Sequence, residues 1–326
     1  MATVRVPPTG VFVPVPTFFQ PVSSTQDAQP ALDLDAQIAH SVFLAKAGIR
    51  GLVILGSTGE AIHLTRDERR TLVSSVKKGL ADAGFEDYPI MAGVLTNGID
   101  ETLEWLEDYA AAGAQWGLVL TPGYFGKGPN QENLRAWYEL VANKSPLPIL
   151  IYNYPGVTNG VMVEPDTYSQ LAQHPNIVGC KMSHGEVSVH VQVSTDPKID
   201  HNKFRVYSGF GAQLGPIVFF GAAGVIDGLA AFYPKTVVRL MELSSQSPVS
   251  EETLREARKL QHAVSRAEDF IGKTGVLGIR EGVIRVAGIG GPGGRLPLAG
   301  RTAEGDWTAL SQRFLSEIDE IEKAFP

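Results

Sequence analysis

The sequence predicts an α/β chain folded as a (β/α)8 barrel, the TIM fold, with a C-terminal helical extension. Three observations predict it. Short apolar runs alternate with segments of helical spacing eight times between Gly10 and Leu243. No glycine-rich dinucleotide fingerprint follows the first run, as an open doubly wound sheet would usually carry. Beyond residue 244 only helical spacing continues, and more of it than one closing barrel helix needs. Residues 1–244 are therefore expected to form the barrel and residues 245–326 the extension.

The elements follow in order. Gly10 to Phe19 reads as a first strand, kept short by Pro14 and Pro16. A polar loop from Gln20 to Pro30 leads to a helix over 32–47 that stops at Gly48. The second strand, Gly51 to Leu55, runs straight into Gly56-Ser57-Thr58-Gly59-Glu60. Thr65-Arg66-Asp67-Glu68 is a capping box that opens a helix reaching about Ala83. Strands are expected at 89–95, 116–120 and 148–153, with helices at 99–112, closed by Gly113, and 130–143. After a helix over 164–173 comes Asn176 to Ser183, an apolar strand with Lys181 near its far end. Alternation would put Ile177, Gly179 and Lys181 on one face and Val178, Cys180 and Met182 on the other. A weak helix over 187–193 precedes a seventh strand at 204–208, a helix at 212–220 and an eighth strand at Gly224 to Asp227. Helices at 234–243, 251–270 and 308–324 complete the chain, and Gly288 to Gly294 reads as a turn between two of them.

Bulk properties bound the function. The 326 residues are 44% apolar, with a net charge of −7 and a pI near 5.6. No basic stripe suggests nucleic acid and no apolar run is long enough to span a membrane. The single cysteine, Cys180, allows neither an internal disulfide framework nor a multi-cysteine metal site. Residues 1–10 carry neither a signal core nor a transit-peptide pattern, so a cytoplasmic enzyme is expected.

Barrel chemistry sits at the C-terminal ends of the strands. Those ends supply Ser57, Thr58, Tyr124, Tyr152, Lys181 and Gly209. Burial favours a neutral lysine amine, which can attack a keto group, while hydroxyls move protons and turn N–H groups hold a carboxylate. Each residue also has a plainer reading. Lys181 could snorkel to water, Tyr152 could be a core tyrosine, Tyr124 could be loop packing, and Gly56 to Glu60 could be a simple turn. His174 and His184 lie in turns without metal-ligand spacing and read as surface residues. Gly126-Lys127-Gly128 lacks the spacing of a phosphate loop.

Four motifs together carry a resemblance: Gly56-Ser57-Thr58-Gly59-Glu60, Thr121-Pro122-Gly123-Tyr124, Tyr152-Asn153-Tyr154-Pro155 and Gly179-Cys180-Lys181-Met182-Ser183. Ser208-Gly209 and Gly224-Val225-Ile226 fit as well. From about Gly10 to Leu298 the chain resembles the dihydrodipicolinate synthase / N-acetylneuraminate lyase family of class I, Schiff-base aldolases. The resemblance implies a homotetramer or dimer that binds pyruvate, or another 2-keto acid, and an aldehyde. It implies Lys181 as the imine lysine, Tyr152 as the proton carrier, and Ser57 with Thr58 as the carboxylate-binding pair. Tyr124 would be a relay tyrosine, in many members supplied by a neighbouring subunit, and Gly209 and Ile226 would line the pyruvate pocket. Neither cofactor nor metal is implied.

One position departs from the synthase pattern. Synthases carry an arginine after the Tyr-Asn-x-Pro turn to bind the carboxylate of aspartate semialdehyde, and here that place is Val157. Valine cannot supply the bidentate fork. The wording looks closer to 4-hydroxy-2-oxoglutarate aldolases and fungal 2-keto-3-deoxy-sugar-acid aldolases. The expected reaction is cleavage of a 2-keto-4-hydroxy acid to pyruvate and an aldehyde. The alternatives are the synthase reaction itself and a non-catalytic keto-acid-binding member.

Overall fold

A computed structural model describes residues 4–21, 29–126 and 128–326. Most of the loop expected from Gln20 to Pro30, and Lys127, lie outside the described residues.

Eight parallel strands close into a barrel in chain order. They are β1 (Gly10–Pro14), β2 (Gly51–Ile54), β3 (Ile90–Val94), β4 (Trp116–Leu120), β5 (Ile149–Asn153), β6 (Ile177–Met182), β7 (Arg205–Ser208) and β8 (Gly224–Ile226). Between them run α1 (Leu34–Lys46), α2 (Arg66–Asp82), α3 (Ile99–Ala112), α4 (Gln131–Lys144), α5 (Pro165–Leu171), α6 (Val187–Ser194) and α7 (Leu214–Phe219). After β8 come α8 (Pro234–Ser244), α9 (Glu251–Gly282), α10 (Glu304–Phe314) and α11 (Ser316–Ala324). The expected fold is the observed one.

Local chemistry sets the element ends. The Thr65 hydroxyl accepts from the Glu68 N–H while the Glu68 carboxylate accepts from the Thr65 N–H, which completes the capping box of α2. Gly113 ends α3 at φ 99°, where a side chain would be strained. The first strand stops at Pro14 rather than Phe19, since a proline lacks the N–H that a ladder needs. The long C-terminal helical stretch expected at 308–324 divides into α10 and α11 around Leu315.

Two apolar layers form the core. Side chains such as Phe12, Trp116, Leu118, Leu150 and Tyr207 fill the barrel interior. A larger layer lies between the strands and the surrounding helices. The strict alternation expected on the lysine strand fails at its start. Ile149 pairs with Ile177, yet Leu150 pairs with Gly179, so β6 carries an extra residue at Val178. Val178 therefore joins the interior and Ile177 the outer layer, opposite to the sequence reading. From Gly179 onward the alternation holds: Cys180 and Met182 pack outward, and Lys181 is carried to the mouth of the barrel.

The helix α9 runs on to Gly282, well past the expected end at Phe270. It kinks at Gly275 (φ 60°, ψ −147°), a conformation essentially reserved for glycine. Beyond the kink, Ile279 packs against Gly228 at the end of β8 and Gly282 packs against Phe232. The Arg280 guanidinium donates to the Glu60 carboxylate at 2.8 Å and to the Leu298 carbonyl at 2.7 Å. Both charged groups are buried, so this pair ties α9 to the loop that carries Ser57 and Thr58.

Candidate active site

Lys181 and Tyr152 are paired residues on adjacent strands, one position before the end of β6 and of β5. Both are buried. The Lys181 Nζ lies 4.6 Å from the centre of the Tyr152 ring. Burial pulls the lysine pKa down from 10.5 to about 7, and the negative charge of Asp227 opposes that shift. The Tyr152 hydroxyl lies 3.3 Å from Ser57 Oγ. Burial raises the phenol's pKa, with the Ser57 and Ser183 hydroxyls pulling the other way, so the group enters the site protonated.

These groups face one cavity of about 370 Å3 at the C-terminal mouth of the barrel. Ser57, Thr58, Gly209 and Ile226 line it alongside Lys181 and Tyr152. The loop after β2 turns tightly: Leu55 has φ 63° and Glu60 φ 52°. A Cβ on Gly59 would lie 2.9 Å from the Leu55 nitrogen, and one on Gly93 would lie 2.3 Å from the Leu55 carbonyl oxygen. The two glycines thus let the backbone fold back and present Ser57 and Thr58 to the lysine. Gly209 is required for a different reason, since its Cβ would meet the Ser183 hydroxyl at 2.1 Å. Asn153 is buried and structural: its amide donates to Val161 O and its oxygen accepts from Val163 N, which clamps the loop after β5.

Tyr124 and Val157 fall elsewhere. Tyr124 is 75% exposed and Val157 is 50% exposed. Both line a second cavity of about 370 Å3, which shares Ser57, Tyr154 and Val276 with the lysine cavity. His184 is buried rather than on the surface, with its ring 5.0 Å from that of His190. Burial, and the neighbouring His190, hold its pKa down at about 4. Among the described residues no three His, Cys, Asp or Glu side chains gather into a metal site, and no helix is long and apolar enough to cross a membrane.

Several lining residues escaped the sequence reading. Ser183 and Tyr154 belong to the quoted motifs but carried no role there, though both are polar groups just past strand ends. Ser265, Glu268, Asp269 and Val276 reach the cavity from α9. No spacing in the sequence signals that this helix folds back over the barrel mouth.

The comparisons agree with this geometry. The model of the dihydrodipicolinate synthetase family matches residues 15–305. An L-threo-3-deoxy-hexylosonate aldolase of Hypocrea jecorina is 34% identical over 289 residues, 87% of this chain and 88% of the relative. A protein of Coccidioides immitis named among the mitochondrial 4-hydroxy-2-oxoglutarate aldolases is 35% identical over 271 residues, 83% of this chain and 82% of the relative. Among solved structures, YagE from E. coli K12, a protein of the dihydrodipicolinic acid synthase family in complex with pyruvate, superposes with a TM-score of 0.81 at 26% identity, covering 95% of this chain and 98% of that one. This chain belongs to the dihydrodipicolinate synthetase family and is an aldolase, a lyase, of that family.

Proposed function

We propose that this aldolase cleaves a 2-keto-4-hydroxy acid, either a 2-keto-3-deoxy sugar acid or 4-hydroxy-2-oxoglutarate, to pyruvate and an aldehyde through an imine on Lys181. The observation that carries the reading is the Lys181 amine, buried over the Tyr152 ring with its pKa near 7. At neutral pH a large fraction of that amine is neutral and nucleophilic.

The neutral amine adds to the keto carbon. The carbinolamine takes up one proton and loses water, leaving a cationic imine. The C3–C4 bond then breaks, its electron pair moving toward the imine nitrogen to give an enamine. The C4 hydroxyl gives up its proton as its carbon becomes the aldehyde. Tyr152, against Ser57, is the relay for that proton and for the one that returns to C3. Water then hydrolyses the pyruvyl imine. The tight loop around Ser57 and Thr58 holds the substrate carboxylate. Assembly into a homo-oligomer belongs to the same proposal. Tyr124 and Phe125, at 75% and 81% exposed, are apolar surface that a neighbouring copy would cover.

The substrate is tested by comparing kcat/KM across a panel. Cleavage of 2-keto-3-deoxy acids or 4-hydroxy-2-oxoglutarate is expected to exceed condensation of pyruvate with aspartate semialdehyde. Val157 offers no cationic fork to a semialdehyde carboxylate. A clearly faster semialdehyde reaction would replace this reading with the synthase one.

A further inference from the structure

Two acids at the C-terminal mouth of the barrel are not used by the mechanism above. Asp227, directly after β8, is fully buried. Its N–H donates to Phe12 O at 2.9 Å, and its Oδ1 accepts from Leu229 N at 3.1 Å. Among the described residues, its other oxygen, Oδ2, is buried and has no hydrogen-bond donor. Glu268 reaches the cavity wall from α9. The two acids meet at Gly211. The Gly211 N–H donates to Glu268 Oε1 at 3.3 Å, and a Cβ on Gly211 would lie 2.7 Å from Asp227 Oδ2. The two carboxyl groups thus converge on the Gly211 backbone.

We propose that Asp227 and Glu268 are a positioning pair that shares one proton, held by Glu268 and donated to Asp227 Oδ2, and that its single negative charge is the counter-charge for the cationic imine on Lys181. The inference rests on the Schiff-base reading. An orphaned carboxylate oxygen in a buried site needs a donor, and a protonated Glu268 supplies it. Two ionised carboxylates converging on one glycine would repel in a medium that screens poorly, so one keeps its proton. Burial raises both acids, Glu268 well above the ordinary carboxylate range.

The imine step is where the charge acts. A neutral amine, a neutral carbonyl and one proton become a cationic imine and water, so a positive charge appears where none stood. The other groups around Lys181 supply no fixed counter-charge. Tyr152 and Tyr154 stay neutral because burial raises both phenols. His184 is neutral, and the Glu60 carboxylate is taken up by Arg280. Asp269 also lines the cavity from α9, but it is exposed, so solvent screens its charge. The substrate carboxylate is held at the Ser57–Thr58 turn in the reading above.

The test follows imine formation by pyruvate and borohydride trapping as a function of pH, in the full-length wild-type protein, Asp227→Asn and Glu268→Gln. Asp227→Asn removes the charge. The acid-side midpoint set by Lys181 should move down by about half a unit or more, and the pyruvate concentration for half-maximal trapping should rise about tenfold. Glu268→Gln keeps a donor for Oδ2 and leaves the charge on Asp227, so its midpoint should stay within about 0.3 unit of wild type. A buried residue with only a structural role would not move the midpoint down while weakening the imine. The inference is overturned if Asp227→Asn leaves both readouts in place, or if Glu268→Gln lowers the midpoint. Should Asp227→Asn fail to fold, the Glu268→Gln midpoint still decides: held supports the shared proton, lowered refutes it. Absence of trapping in the wild type would instead remove the Schiff-base reading.

Discussion

A buried Lys181 costs the fold stability. Its pKa falls from 10.5 to about 7 through burial. Between those values the unfolded chain binds a proton that the folded chain does not, so stability rises with pH across that window. Below about pH 7 the whole penalty is present, on the order of 5 kcal/mol. Lys181→Met should therefore raise stability at pH 6 by several kcal/mol and flatten its dependence between about pH 7 and 10.5. Urea unfolding at three pH values measures this, and an unchanged profile would mean that the lysine is solvated. The neighbouring tyrosine carries a second expectation. Tyr152→Phe keeps the ring under the amine and removes one oxygen, so turnover should drop by roughly two to four orders of magnitude with the fold intact. Wild-type turnover in that variant would make Tyr152 a packing residue. Both residues were legible in the sequence because a charged or hydroxylated side chain near the end of an apolar strand stands out. Ile177 and Val178 were not, because the extra residue in β6 reverses their faces, and nothing in an apolar run marks a bulge.

Among the elements, α9 departs most from what its sequence suggests. Its helical spacing was visible from Glu251 to Phe270, but the kink at Gly275 and the continuation to Gly282 were not. A lone glycine in a helical pattern has several uses, and only the tertiary contacts select the kink. The consequence is functional, since Ser265, Glu268 and Asp269 form one wall of the lysine cavity. The same helix steadies the opposite side through Arg280 and Glu60, a buried pair that spans α9 and the loop after β2. Arg280→Ala would leave the buried Glu60 carboxylate with only the His63 ring, 3.1 Å from its Oε2. We expect a loss of about 3–5 kcal/mol in denaturant unfolding. Weaker pyruvate binding should accompany it, because the Ser57–Thr58 turn loses its anchor. A loss below about 1 kcal/mol would show that water reaches Glu60 and that the anchor is dispensable. The pair could not be read from the sequence, where its members stand far apart and no periodicity connects them.

At the scale of the molecule, eight parallel strands bring β5, β6, β7 and β8 side by side, so that residues distant in sequence converge at one mouth. The barrel was legible because the alternation of short apolar runs with helical segments repeats eight times and leaves few other topologies. The convergence of Ser57, Thr58, Tyr152, Lys181 and Gly209 followed from their places at the strand ends, and Ile226 came from the family resemblance. The positions of Tyr124 and Val157, in a neighbouring cavity, depended on loop paths that strand counting does not reach. The account as a whole rests on one covalent bond, and the most direct measurement is mass spectrometry of the protein after incubation with pyruvate and borohydride. It should find one reduced pyruvyl group per chain, mapped to the peptide containing Lys181 and absent from Lys181→Ala. A label on a different lysine, or none on the wild-type protein, would contradict it.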